Sequence, residues 1–238
     1  MRSTYAQSKK RERYSIKKPP FSKIGEGAES NVYRVTLKFK NGKKRKAVLK
    51  ELERKEGVFF KKPVKFLGKR ERVINAKRAY TAFKRAALPV PSFFIPRIRY
   101  FSAPESILME NLTKRFGKLF PINSKKRSAH PVFLKKLSIK NDSVLIKNLA
   151  KDLATIFNLG FVPYAMDFWM FYKKGNTYER VLVDLTLFTH KTDEIYSQIP
   201  KSFFKENLQN SVFAFKENMG QREFELFYGE FLENLKVK

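Results

Sequence analysis

FSKIGEGAESNVYRVTLKFKNGKKRKAVLKEL, residues 21–52, is the stretch that decides how the chain folds. Ile24 leads into Gly25-Glu26-Gly27, and Val32, Tyr33, Val35, Leu37 and Phe39 then supply strand formers. Asn41-Gly42 is a hairpin signal, and Lys46-Ala47-Val48-Leu49-Lys50 resumes an extended run. The pattern predicts strand, glycine turn, strand, hairpin and strand, which is an antiparallel meander. In isolation a short glycine turn between strands is explained by sterics alone. With a lysine on the third strand it carries more chemistry. A glycine turn lets backbone N–H groups approach phosphate oxygens, and an inward Lys50 neutralises their charge.

Downstream, residues 69–87 place Val73, Ala76, Tyr80 and Phe83 at helical spacing, and Leu88-Pro89-Val90-Pro91 ends the helix. FFIPRIRYFSA and SILMENL then read as two further strands, the second running into a polar link at Glu110-Asn111. The later half reads as mostly helical. Residues 143–159 put Leu145, Leu149, Leu153, Ile156 and Phe157 on one face, with Gly160 as the stop. DFWMFYKKGNTYERVLVDL reads as a hairpin around Lys174-Gly175-Asn176, and residues 201–235 as one or two closing helices.

A glycine-rich loop followed by valine, a strand of the V-A-I-K type and then a helix is the order found in protein kinases, and this chain resembles them. Its loop is GEGAESNVY, with Ser30 where a third glycine would stand, and its lysine is Lys50. The form G-A-E-x-x-V-Y, with the helix that runs into LPVP, is similar to the small atypical kinases: the RIO group and the kinase subunit of the KEOPS tRNA-modifying complex. The resemblance covers residues 21–112 well and the remainder loosely. It implies an α+β, protein-kinase-like bilobal fold. A flexible basic arm (1–20) would precede an N-terminal nucleotide-binding lobe (21–112), an antiparallel five-stranded sheet with one helix. A reduced, mostly helical C-terminal lobe (113–238) would follow.

The same resemblance assigns a site. Gly25, Gly27, Ser30, Val32 and Lys50 would hold ATP. Met109 would be the gatekeeper, and Glu110 to Leu112 would supply backbone hydrogen bonds to adenine. Asp184, at the end of the apolar run VLVD, resembles the aspartate of D-F-G, with Leu185 and Thr186 replacing Phe and Gly, and would hold magnesium. A lone carboxylate at a buried strand end is otherwise costly, which points the same way. Asp167, in GFVPYAMDFWMFY, is the one acid between the preceding helix and the hairpin. Two readings of it stay open: a catalytic base that orients the acceptor hydroxyl, or a turn residue. If Trp169 to Tyr172 is the strand after the catalytic loop, the base position falls on Tyr164 and the base is missing. The helix glutamate that pairs with the lysine in kinases also has two readings, because Glu71 is the helix's one acid: ion-paired with Lys50, or exposed. The implied function is an ATP-dependent phosphotransferase acting on a protein or ribonucleoprotein component; the alternative is a pseudokinase scaffold.

Composition limits the rest. The formal charge of +29 is unevenly spread: residues 1–147 hold 40 Lys and Arg against 10 Asp and Glu, and residues 148–238 hold 11 against 12. So one-sided a field suits a polyanionic partner, nucleic acid or ribonucleoprotein, through residues 1–20, 38–70 and 114–140. The cations are scattered over several elements, which does not suit an amphipathic membrane helix. No window reaches the length of a membrane span, and residues 1–20 are basic and polar, so a soluble, cytoplasmic chain is expected. There is no cysteine, and His130 and His190 are too far apart to suggest a zinc site.

Overall fold

The computed structural model describes residues 14–16, 22–27, 30–52, 69–97, 105–121, 143–163, 168–192 and 219–236. The first half is a sheet with one long helix. Its strands are β1 (Tyr14–Ile16), β2 (Ser22–Gly27), β3 (Ser30–Phe39), β4 (Lys44–Leu52), β5 (Phe94–Arg97) and β6 (Ser106–Glu110), and helix α1 (Lys69–Arg85) lies between β4 and β5. Every pairing is antiparallel, in the order β1-β3-β4-β6-β5, with β2 also on β3. β1 pairs with residues 37–39 of β3 and β2 with residues 30–34, so the two share one edge of the sheet. The five columns are those expected from the sequence, but the first is in two pieces. Tyr14–Ile16, read from sequence as part of a flexible arm, is a strand. The residues between the pieces include Pro19-Pro20, which have no N–H to give a ladder.

Alternation along β4 sorts its side chains onto two faces. Ala47 and Leu49 join Val35, Leu37 and Leu108 in one buried cluster. Val48, Lys50 and Leu52 point the other way, and Leu52, Ile107 and Met109 enter the large core that continues through α1 into the second half. Lys50 is therefore directed by register into the interior side of the sheet, where it is 8% exposed.

α1 packs against that face through Val73, Ala76, Ala79 and Phe83, all fully buried. It stops at Arg85 because Pro89 lacks an N–H and disfavours helical geometry at Leu88. Ala87 takes the left-handed conformation, φ 58°, and Leu88 N donates to Phe83 O, closing the end. The Phe83 ring meets Phe161 and Phe188 edge-on, which ties α1 to the second half; its burial contributes roughly 1.5–3 kcal/mol.

The second half has helices α2 (Leu112–Phe116), α3 (Ser143–Asn158) and α4 (Gln221–Asn234), with strands β7 (Leu119–Pro121), β8 (Phe161–Pro163), β9 (Trp169–Lys174), β10 (Thr177–Leu182) and β11 (Phe188–His190). α3 packs against α4, and both feed the common core. β9 and β10 form the expected hairpin, turning at Gly175-Asn176 with Gly175 at φ 61°. β7 lies on its far edge, and β11 pairs with β8. The basic stretch 114–140, read from sequence as suited to a polyanionic partner, begins with the end of α2 and with β7; its remainder lies outside the described residues, as does 201–218. No described helix is long and apolar enough to cross a membrane.

Candidate functional site

The site is assembled where β4 faces the end of β10. Gly25 is the register partner of Val32, Val32 of Lys50 and Lys50 of Ile107, so glycine, valine and lysine line up across neighbouring strands. The glycines lie within β2 itself and not in a turn, because Gly27 pairs with Ser30 and leaves only residues 28–29 to reverse the chain. Register shifts between Lys23 and Gly25, an irregularity that glycine accommodates without a side-chain clash.

Lys50 crosses to the second half. Its Nζ donates to Asp184 Oδ2 at 2.5 Å and to Thr186 Oγ1 at 3.3 Å. Asp184 follows β10 and caps a single 3-10 turn, Leu185–Leu187. Its Oδ1 accepts from Thr186 N at 3.3 Å and from Thr186 Oγ1 at 2.5 Å. The Asp184 side chain keeps 24% of its surface exposed, against 10% for Lys50. Burial would by itself raise this carboxyl. The ammonium of Lys50, the Thr186 hydrogen bonds and the more distant Arg72 together outweigh it and hold Asp184 below the usual carboxylate range.

β6 ends at Glu110, and the polar link at Asn111 leads directly into α2. Met109 is buried beside Val48 and Phe94 on the lysine face. Glu110 Oε2 accepts from Ser92 N at 2.6 Å and from Arg115 at 3.3 Å. Asn111 caps α2, its side chain accepting from Lys114 N, and Leu112 is buried. Leu182 N donates to Pro89 O at 2.7 Å, fastening the segment after α1 to the end of β10 close to Asp184. Glu71 resolves one open choice: it lies exposed in the first turn of α1, and the described carboxylate bonded to Lys50 is Asp184.

Asp167 lies outside the described residues. The next residue, Phe168, accepts from Val183 N at 2.7 Å, immediately before Asp184. Three residues to which sequence reasoning gave no bonding role belong to this neighbourhood or its support. Thr186 bonds both members of the Lys50–Asp184 pair. Arg72 contributes to the field on Asp184. Asp152, 5% exposed on α3, takes a bidentate pair from Arg180 of β10, with Nε to Oδ2 at 2.8 Å and Nη2 to Oδ1 at 3.0 Å. Burial, the larger influence, pushes the Asp152 carboxyl up despite the guanidinium. For Arg180 burial is again the largest influence and lowers it, but Asp152 and Glu179 together outweigh this and the net shift is upward.

A glycine-bearing hairpin, a lysine on the third column, a helix after it, a strand running to a link and an aspartate beyond the second-half hairpin complete the pattern. This is the arrangement that the resemblance to protein kinases implies. No protein-family model and no curated sequence matches the chain. Solved structures similar to it include two kinases. One is the Rio2 kinase–ADP/Mg2+-phosphoaspartate complex of Chaetomium thermophilum, at 15% identity over 90% of this chain and 70% of that one, TM-score 0.40. The other is the Helicobacter pylori proinflammatory kinase CtkA, at 13% identity over 93% of this chain and 92% of that one, TM-score 0.49.

Proposed function

We propose that the chain binds ATP between the β2–β3–β4 face and the end of β10, and transfers its terminal phosphoryl group. The observation that carries this is the bond between Lys50 and Asp184, with Lys50 in register across β3 with Gly25 of the glycine-bearing strand. In it Lys50 binds phosphate oxygens, the Gly25–Gly27 backbone lies over them, and Val32 and Met109 offer apolar contact to a base. Hydrogen-bond groups of the Glu110–Leu112 backbone would meet the base edge.

The residues fit a magnesium ion as far as donor chemistry goes. Asp184 offers hard carboxylate oxygens with open surface, and among the described residues no cluster of three His, Cys, Asp or Glu competes as a self-contained cage. Magnesium characteristically takes one or two carboxylates plus phosphate oxygens, and when bound it neutralises charge on the transferring group. Thr186 holds the Asp184 carboxylate in orientation, and Asp167 is the acid available to orient an acceptor hydroxyl.

Lys50→Ala and Asp184→Ala are each expected to abolish ATP turnover, measured as phosphate transfer or release by the full chain. Unchanged turnover in both refutes the assignment. A non-catalytic scaffold is the second reading. It is favoured by the sequence between β8 and Phe168, where Tyr164-Ala165-Met166-Asp167 offers one acid and no asparagine. Magnesium-dependent ATP binding without turnover of any acceptor decides for it.

The basic half supports a polyanionic partner, RNA or a ribonucleoprotein. Lys38, Lys40, Lys43, Lys44, Arg45 and Lys46 are exposed around the β3–β4 hairpin. Log affinity for duplex RNA should fall steeply with log salt, by up to about 0.9 per neutralised phosphate on the DNA scale. A flat response removes this partner.

A further inference from the structure

Ser92 stands at a corner where α1, β4 and the end of β6 meet. It follows Pro89-Val90-Pro91 and precedes β5, the last strand on its side of the sheet. Alternation sends the next two residues to opposite faces. Phe94 stacks on Tyr80 of α1 in the main core, ring centroids 5.1 Å apart, and Phe93 packs on the smaller cluster with Leu37 and Ala47. Ser92 itself is exposed, and a cation reaches it from each face. Arg45 Nη2 donates to Ser92 Oγ at 3.0 Å, with its guanidinium 4.2 Å from the Phe93 ring centroid. Lys84 Nζ donates to Ser92 O at 3.3 Å and to the Tyr80 hydroxyl at 3.2 Å, and that hydroxyl donates to the same carbonyl at 3.2 Å. Behind them Ser92 N and Arg115 Nη1 both donate to Glu110 Oε2, at 2.6 and 3.3 Å.

The groups that order these cations do not neutralise them. In the second half, Arg180 sits on Asp152, Lys147 and Lys151 on Glu230, and Lys174 on Glu179. Among the described residues no carboxylate pairs with Arg45 or Lys84; a hydroxyl, a carbonyl, a phenol and two ring faces hold them in place. Arg45, Lys84 and Arg115 against Glu110 leave two positive charges at one corner, and all three cations are exposed. A guanidinium and an ammonium fixed this close together suit the oxygens of one anion. A phosphate monoester is close to a dianion at neutral pH, whereas each phosphate of a nucleic-acid backbone carries a single charge.

We propose that Arg45 and Lys84, converging on Ser92, form a binding site for a phosphate dianion, free or as the monoester group of a larger molecule. Its cations take no part in the Lys50–Asp184 site, so the proposal stands whether or not nucleotide binds there. It is tested by NMR titration of the full chain at about pH 7.5 and fixed ionic strength, where the second phosphate proton is lost. The Ser92 amide and the Arg45 Nε–H are followed with inorganic phosphate, methyl phosphate and dimethyl phosphate. Both signals should move and saturate with inorganic phosphate. Arg45→Ala and Lys84→Ala should each weaken the binding read at Ser92 about tenfold, as for one charge-assisted bond, and Arg45→Lys less than Arg45→Ala. Lys77→Ala, which removes an exposed cation elsewhere on α1, should match wild type. Dimethyl phosphate, with one charge, should bind about tenfold more weakly than inorganic phosphate. Methyl phosphate that binds like inorganic phosphate shows that the site admits a monoester, and binding of inorganic phosphate alone shows that it takes the free ion; either supports the proposal. No saturable shift at Ser92, or binding unchanged in both Arg45→Ala and Lys84→Ala, overturns it. An equal loss in Lys77→Ala assigns the effect to general surface charge and overturns it too. Equal binding of dimethyl phosphate overturns the preference for a dianion.

Discussion

Among the described residues, two carboxylate–cation pairs lie inside the molecule, and they are built differently. Asp152 of α3 gives both oxygens to the guanidinium of Arg180, and its side chain is 7% exposed. Asp184 gives one oxygen to Lys50 and the other to Thr186, and 24% of its side chain is open. The first pair is saturated and joins a helix to the β9–β10 hairpin; a ligand has no donor or acceptor to gain there. The second bridges the two halves of the chain and is served by a lysine, a point charge on a flexible stem that can turn to another anion. A saturated bidentate pair marks scaffold. A one-point pair with an open carboxylate marks a place where something else can bind.

The largest expected effect breaks the closed pair. Asp152→Ala leaves the Arg180 guanidinium buried without its bidentate partner and should cost about 3–5 kcal/mol in urea unfolding. Replacing both members, Asp152→Leu with Arg180→Met, removes the stranded charge and should recover most of that loss. If the double variant is no better than the single one, the pair contributes more than charge compensation, and the contrast drawn above is wrong for it.

A smaller effect is expected at the open pair. Water reaches Asp184, and Lys50 keeps the Thr186 hydroxyl within 3.3 Å, so Asp184→Asn should cost about 1–2 kcal/mol by the same measurement. Saturating magnesium and ATP should raise the unfolding midpoint of wild type, and not that of Asp184→Asn, through linkage of binding to folding. A loss as large as that of Asp152→Ala would make the site pair structural as well.

Most of the sheet and the lysine side of the site was legible in the sequence, for a physical reason. Strand alternation with period two fixes which way Lys50 points once Ala47 and Leu49 are assigned to the opposite face. Asp184 was legible because an apolar run that ends in one acid needs a partner for it. Asp152 and Arg72 were passed over because only apolar positions were counted along the helices. Yet Leu145, Leu149, Asp152 and Ile156 share one stripe, as do Arg72, Ala76, Ala79 and Phe83. A charged residue at a core position of an amphipathic helix is a signal of buried pairing, and Asp152, bonded to Arg180, is the case here. Tyr14–Ile16 was missed because three residues in a basic run carry too little pattern to stand out. Their strand is defined by the edge of β3 that receives them. The spacing between β8 and β9 does not choose between Asp167 as base and Asp167 as turn residue, since alignment there turns on where the strand begins.

The smallest expected effect separates the two pairs by the sign of their response to acid. Asp184 titrates lower in the folded chain than in the unfolded chain, where a value near 3.9 is usual. Its contribution is therefore complete above that pH and is lost as pH falls through the folded value. Asp152 is raised, so the unfolded chain ionises first on going up in pH, and stability declines as pH rises from about 3.9 through the folded value. Urea midpoints between about pH 6 and pH 3 for wild type, Asp184→Asn and Asp152→Asn remove the general acid sensitivity of so cationic a chain, because that background is common to all three. The wild-type advantage over Asp184→Asn should shrink as acid is added, and the difference from Asp152→Asn should move in wild type's favour. Two differences that drift in the same direction would mean that burial, not the cation, governs Asp184, and the lysine could not then be poised to exchange that carboxylate for a phosphate.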